Sequence, residues 1–210
     1  APGATSPAVN TLGTSGNDTY NGVLDSLTAA NNSYQALDNI DGALGIDTLN
    51  IIGNGAGANT VTPLFLTNVE KVVVRDVDAT LTTTVNLANA TGVTDVINDS
   101  SVANVVFNNI STAAVTAKNL ATAGLDTTFT RGAAPVTAAL TINLENLGTA
   151  AVVGAAAVQT GKVESNDGNN DATSVIVNAT GYVDVVSANL TGTGVAGTHT
   201  AETVTINAAG

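Results

Sequence analysis

Val85-Asn86-Leu87-Ala88-Asn89-Ala90-Thr91-Gly92-Val93-Thr94-Asp95-Val96-Ile97 reads as a short β-run, an Asn-led turn and a second β-run. The same order returns at Val175-Ile176-Val177, Asn178 and Tyr182-Val183-Asp184-Val185-Val186, and more loosely at Ile142-Asn143-Leu144, Asn146 and Ala151-Val152-Val153. Asn and Gly tolerate left-handed backbone, so Asn89 to Gly92, Asn146 to Thr149, Asn178 to Gly181 and Asn207 to Gly210 are expected to be turns. From Asn68 to Asn89 to Asn109 the step is about 20 residues, the length of one coil of a β-solenoid.

The expected fold is therefore all-β: a β-solenoid resembling a right-handed parallel β-helix, with Val, Ile, Leu and Ala inside and Thr and Asn ladders outside. The alternative is an antiparallel β-sandwich whose strands end in Asn-Gly turns. A two-sheet interface is filled by large side chains, and this chain has three Phe, three Tyr and no Trp, which favours the thinner core of a solenoid.

Further strands are expected at Thr48 to Ile52, Glu70 to Val74, Thr83 to Leu87, Val102 to Phe107, Ala113 to Ala117, Leu140 to Leu144, Ala151 to Val153, Ser174 to Val177, Val183 to Val186 and Thr203 to Ile206. Val23 to Leu37 departs from this pattern. Val23, Leu24, Leu27, Ala30, Tyr34 and Leu37 fall at roughly helical spacing, which supports a short helix. The organisation expected is a linker or extended lead-in over 1–15, a turn-rich region with the short helix over 16–60, and a solenoid-like domain over 61–210.

Seventeen acids face five bases, a formal net charge of −12, and such self-repulsion calls for bound cations. Nucleic acid is set aside as a partner, because phosphate binding needs Lys and Arg clusters and only Lys71 and Arg75 lie close together. No run approaches the ~18 apolar residues of a membrane helix, so membrane insertion is not expected. Cysteine is absent, which removes disulfides and thiolate chemistry. With little Lys and much Thr, Asn, Gly and Ala, the composition resembles that of proteins exported by bacteria to the cell surface, and an extracellular location is expected.

Three motifs carry chemistry. Gly13-Thr14-Ser15-Gly16-Asn17-Asp18-Thr19-Tyr20-Asn21-Gly22 resembles a degenerate copy of the glycine- and aspartate-rich RTX nonapeptide. There glycines permit tight turns, while carboxylates and carbonyls give hard oxygen ligands to Ca²⁺. Leu37-Asp38-Asn39-Ile40-Asp41-Gly42-Ala43-Leu44-Gly45-Ile46-Asp47-Thr48-Leu49 resembles that family's turn into a strand, with Ala43 and Leu44 replacing the usual Gly-Ala. Leu66-Thr67-Asn68-Val69-Glu70-Lys71-Val72-Val73-Val74 is similar to the strand that follows in many such proteins. Together the motifs cover about the first third of the chain and resemble a segment of an RTX-like bacterial surface-layer protein or large RTX adhesin; the rest matches in composition and rhythm.

The resemblance implies export without a cleaved leader, calcium-dependent folding, and assembly outside the cell into an array or fibre of identical copies. Cell-surface polysaccharide is a second partner class. Metal candidates are Asn17 and Asp18 in the first motif, Asp38, Asp41 and Asp47 in the second, the pair Asp76 and Asp78, and Asp167, Asn169 and Asp171 in the polar run beginning at Glu164. Each has a plainer reading: an Asx-rich turn at Asn17, a salt-bridged surface with Lys71 and Arg75 at Asp76, a solvated loop at Asp167. The run after Glu164 is no EF-hand, since it lacks a glutamate at the twelfth position. Catalysis is not expected. His199 is the sole histidine and has no nucleophile or metal-ligand partner at a recognisable spacing.

Overall fold

The computed structural model describes residues 10–63, 65–80, 82–111, 114–132, 140–166, 174–191 and 203–209. Its strands fall into coils. The first coil has β1 (Asn10–Leu12) and β2 (Thr19–Asp25). The next three have β3 (Asn39–Asp41), β4 (Thr48–Asn54) and β5 (Asn59–Val61), then β6 (Phe65–Thr67), β7 (Lys71–Asp76) and β8 (Thr83–Asn86), then β9 (Ala90–Thr91), β10 (Asp95–Asp99) and β11 (Val105–Ile110). Among the described residues the later coils show two strands: β12 (Ala114–Lys118) with β13 (Thr127–Arg131), β14 (Leu140–Leu147) with β15 (Thr160–Asn166), and β16 (Ser174–Val183) with β17 (Val185–Thr191). β18 (Thr203–Ala209) closes the described chain.

Every strand pairs in parallel with its counterpart one coil on, which makes the chain a β-solenoid. Sheet A runs β1-β3-β6-β9, sheet B β2-β4-β7-β10-β12-β14-β16-β18, and sheet C β5-β8-β11-β13-β15-β17. Coil length varies widely: Asp95 lies opposite Ala114, a step of 19 residues, whereas Thr127 lies opposite Val163, a step of 36.

The alternation within each strand makes the core. In sheet B, Leu49, Val72, Val96, Val115 and Ile142 stack inward in register and are almost fully buried. In sheet C, Phe107 lies over Phe129 with ring centroids 5.3 Å apart and planes within 4°, so two of the three Phe fill the centre as a stacked pair. A two-side-chain-deep interior suits small β-branched residues, and their stiff χ1 suits strands.

The expected ladders are present outside. On sheet B, Asn207 Nδ2 donates to Asn178 Oδ1 and Asn178 Nδ2 to Asn143 Oδ1, both at 2.9 Å, and Asn50 Nδ2 donates to Asn21 Oδ1 at 3.1 Å. Polar residues also line the interior, which the sequence reading did not expect: Asn59, Thr83, Asn98 and Thr127 are buried, and Asn98 Nδ2 donates across the core to Thr127 Oγ1 at 2.7 Å.

Several local expectations are corrected. Val23 to Leu37 contains no α-helix. Val23–Asp25 completes β2, and a single 3₁₀ turn occupies Ala29–Asn31. The helical spacing is outweighed by β2 pairing with β4 over seven registered positions. Residues 26–38 fold over the outer edge of β2: Ser33 N–H and Tyr34 N–H donate to the Val23 carbonyl, Val23 N–H donates to Ser33 Oγ, and Asp25 N–H donates to Asn32 Oδ1. Tyr34, 2% exposed, closes the core against Gly22. Asn178 and Asn207 lie within β16 and β18 and not in turns, because each extends an amide ladder. Val152 makes an isolated bridge to Ala155 in place of a strand. Asn68 follows β6, Asn89 precedes β9 and Asn109 lies in β11, so the steps from one to the next join different places in the coil and are not register steps. Within the stretch expected as a lead-in, Asn10–Leu12 already pairs in parallel with Asn39–Asp41.

One corner is shaped by backbone sign. Asp99, Lys118, Glu145 and Thr180 are registered partners, and the residues that follow them, Ser100, Asn119, Asn146 and Gly181, all have φ between 54° and 71°. Left-handed backbone favours Asn and Gly, and it lets the chain turn out of sheet B at the same height in each coil.

Candidate functional site at the acidic corner

The corner between sheets A and B carries the first two sequence motifs. Chain enters β2 through residues 13–18, β4 through 42–47 and β7 through 68–70, and each turn ends in an acid or its neighbour: Asp18, Asp47 and Glu70. The acids stack one per coil. Asp18 N–H donates to Asp47 Oδ1 at 2.6 Å, and Asp47 N–H donates to Glu70 Oε2 at 2.7 Å. Each carboxylate thus satisfies the backbone of the coil before it, a strong charge-assisted bond.

The remaining oxygens are mostly engaged. Asp18 Oδ2 accepts from Thr14 N–H at 2.6 Å and Thr14 Oγ1 at 3.0 Å, and Asn17 Oδ1 accepts from Ile46 N–H at 2.9 Å. Asp41 Oδ1 accepts from Asn68 Nδ2 at 2.8 Å and Ala43 N–H at 3.0 Å. The Asn68 amide, with the Ala43 N–H, holds the Asp41 carboxyl below its ordinary value against a smaller opposing effect of burial.

Asp47 differs from these neighbours. It is 0% exposed, and its Oδ2 has no hydrogen-bond partner. The Tyr20 hydroxyl is likewise hidden and unpartnered; burial, then the Asp18, Asp47 and Asp41 carboxylates, raise it above its ordinary value. Close backbone approach explains the glycines here: a Cβ on Gly42 would overlap the Asn68 carbonyl and Asp47 Oδ2, and one on Gly13 would overlap the Gly42 carbonyl.

Thus Asn17, Asp18, Asp41 and Asp47 come to one corner, joined by Glu70, which the sequence reading missed as a candidate although it lies in the third motif. The other candidates lie elsewhere. Asp38, 2% exposed, accepts from Gln35 N–H at 2.8 Å in the turn before β3. Asp76 is buried at the end of β7, where Oδ2 accepts from Thr83 Oγ1 at 2.6 Å and Oδ1 from Asp78 N–H at 3.0 Å. Burial raises the Asp76 carboxyl above its ordinary value, against the lowering hydrogen bonds of Thr83 and Asp78. Asp78 turns outward and accepts from Thr80 N–H at 3.0 Å, so the two carboxylates do not share a face: the β period ends at Asp76. Asp167, Asn169 and Asp171 lie outside the described residues, as does His199.

Calcium takes six to eight oxygens. Among the described residues no three Asp, Glu or His side chains converge to hold a metal, and at the acidic corner Asp47 Oδ2 is the carboxylate oxygen left both buried and unbonded. The described corner does not by itself make up a calcium shell. What it does is tie adjacent coils through carboxylates. Comparison of the chain with family models, curated proteins and solved structures found no match.

Proposed function

We propose that this chain is a non-catalytic structural module of an extracellular bacterial surface layer or fibre, assembling with copies of itself. The observation that supports this reading is the stack: sheet B alone has eight parallel strands, which at roughly 4.8 Å per step gives a rod about 34 Å long, with outward amide ladders at both ends of that sheet. Such a body presents long, repetitive side faces, which suit contact with neighbours in an array.

Calcium enters this proposal as a counter-ion and not as a formed site. The first 80 residues hold eight acids against Lys71 and Arg75, and four of these acids, Asp18, Asp41, Asp47 and Glu70, gather at one corner near that end of the rod. Divalent ions at that end would relieve repulsion both within the fold and between copies. The test combines melting with negative-stain microscopy, in millimolar Ca²⁺ and in EGTA. Sheets or fibres that need Ca²⁺, with a lower thermal midpoint in EGTA, are the expected result. An unchanged melting curve would remove calcium from the proposal, and a persistent monomer in Ca²⁺ would replace the array with the stalk of an adhesin.

A further inference from the structure

We infer that a cleft inside the first coil binds a primary ammonium group on a short aliphatic stem, held by the Asp38 carboxylate and the Tyr34 hydroxyl. Such a site goes beyond the structural role proposed above and does not depend on whether copies of the chain assemble.

The cleft arises from a change of side chains between coils. In the second coil, inward positions of sheets A and B hold Ile40, Leu49 and Ile51, all buried; one coil earlier the registered residues are Thr11, Tyr20 and Gly22. Gly22 leaves room that Tyr34 enters, since a Cβ at Gly22 would stand 2.6 Å from the Tyr34 Cβ. Tyr34 fills only part of the lost volume. A cleft of about 270 Å³ remains between β1, β2 and the turn residues Ser33, Tyr34 and Asp38, with Ile40 and Leu49 among its walls.

Its polar groups favour a cation. Tyr34 is 2% exposed and lines the cleft, and its hydroxyl has no hydrogen-bond partner. Leaving a buried hydroxyl unmatched costs roughly 1–3 kcal/mol, so one that lines a cleft calls for a ligand atom. Asp38, equally hidden, is the charged side chain among the described lining residues, which include no Lys or Arg. Burial, then the Asp38 carboxylate, raise the Tyr34 hydroxyl above its ordinary value; burial, then Asp18, Asp47 and Asp41, do the same to Tyr20, which also lines the cleft. These carboxylates set a negative potential at both phenols, which repels anions and attracts cations.

Among cations the walls select an ammonium. A hard ion such as Ca²⁺ takes six to eight oxygens, and no three Asp, Glu or His side chains converge among the described residues. A primary ammonium has three N–H donors and no acceptor, which suits a carboxylate beside a phenol oxygen. Its methylenes would lie on Ile40 and Leu49, as lysine stems lie on apolar surface.

The chain has no Trp and three Tyr, two of which line the cleft, so tyrosine emission reports on it. The full chain would be titrated with n-butylammonium chloride, with sodium chloride at equal ionic strength, and with n-butanol as the uncharged isostere. A saturable change is expected with butylammonium alone. Affinity should fall by about tenfold or more in Asp38→Asn and in Tyr34→Phe, the size of a hydrogen bond to a charged group, and stay unchanged in Asp78→Asn, outside the cleft. Nα-acetyl-lysine amide that binds equally well would assign the site to a lysine side chain; butylammonium binding alone would assign it to a free amine. The wild-type chain gives a second reading that needs no variant: at saturation, nuclear Overhauser contacts should join the butyl methylenes to the Ile40 and Leu49 methyls. Absence of those contacts, an equal response to butanol or sodium, saturation by Ca²⁺ in place of the amine, or undiminished binding in a folded Asp38→Asn would each overturn the ammonium site.

Discussion

At the scale of single residues, the fold is governed by where the backbone comes too close for a side chain and where a polar atom is hidden. Gly42 has the Asn68 carbonyl where its Cβ would be, so Gly42→Ala must move one coil against the next. A destabilisation of about 1–3 kcal/mol in urea melts is expected, larger than for alanine at Gly16, where the nearest atom to an added Cβ is Thr14 Oγ1 at 3.7 Å. Asn119 has φ 55°, and a β-branched residue there is strained; Asn119→Val should cost roughly 1–2 kcal/mol, and Asn119→Gly much less. Asp76 gives a pH signature. Burial raises its folded value, so the fold favours the protonated acid, and stability falls as pH rises from the ordinary value near 3.9 through the raised one. Asp76→Asn removes that loss. Its stability relative to wild type should therefore increase between about pH 3 and pH 7, and a difference that is flat or of opposite slope would contradict the assignment.

At the scale of elements, the strands were largely legible and the polar interior was not. Alternation of Val with Thr or Asn announced β4, β7, β8 and β12 nearly at their observed bounds, because both faces of these strands are decided by local pattern. Short strands such as β1, β3, β5 and β6 carry three residues each, too few for a period to show, and are held by their partners in the stack. The helix over Val23 to Leu37 failed for the related reason that registered pairing with β4 outweighs apolar spacing. Buried Thr83, Thr127 and Asn98 read as surface residues, since nothing in one sequence reveals that their hydroxyl and amide groups meet across the core. The acidic motif was legible as residues, and four of its members do meet at one corner; what they bond to, backbone N–H groups of the neighbouring coil, depends on register. Two substitutions weigh these elements. Phe129→Ala removes half of the stacked pair and should cost about 3–5 kcal/mol. Asn178→Ala interrupts two amide bonds on a partly exposed face and should cost about 1–2 kcal/mol, both read from denaturant melts.

For the molecule as a whole, the β2 end of the stack is closed by the chain itself. At the first coil, residues 26–38 satisfy the outward backbone of Val23 and Asp25, and Tyr34 seals the interior, so this edge is covered against strand pairing. Growth by pairing another strand onto β2 is thereby opposed. All of this depends on the coils being stacked in parallel at one level per strand, which pulsed dipolar distances between spin labels would measure. Thr48, Thr141 and Thr205 occupy one outer rank of sheet B, on its second, sixth and eighth strands. Labelled in pairs as cysteines, Thr48 with Thr141 should be separated by about 19 Å and Thr48 with Thr205 by about 29 Å, in proportion to four and six strand steps of ~4.8 Å. Distances that fail to grow with the number of strands between the labels would contradict the solenoid and the structural role built on it.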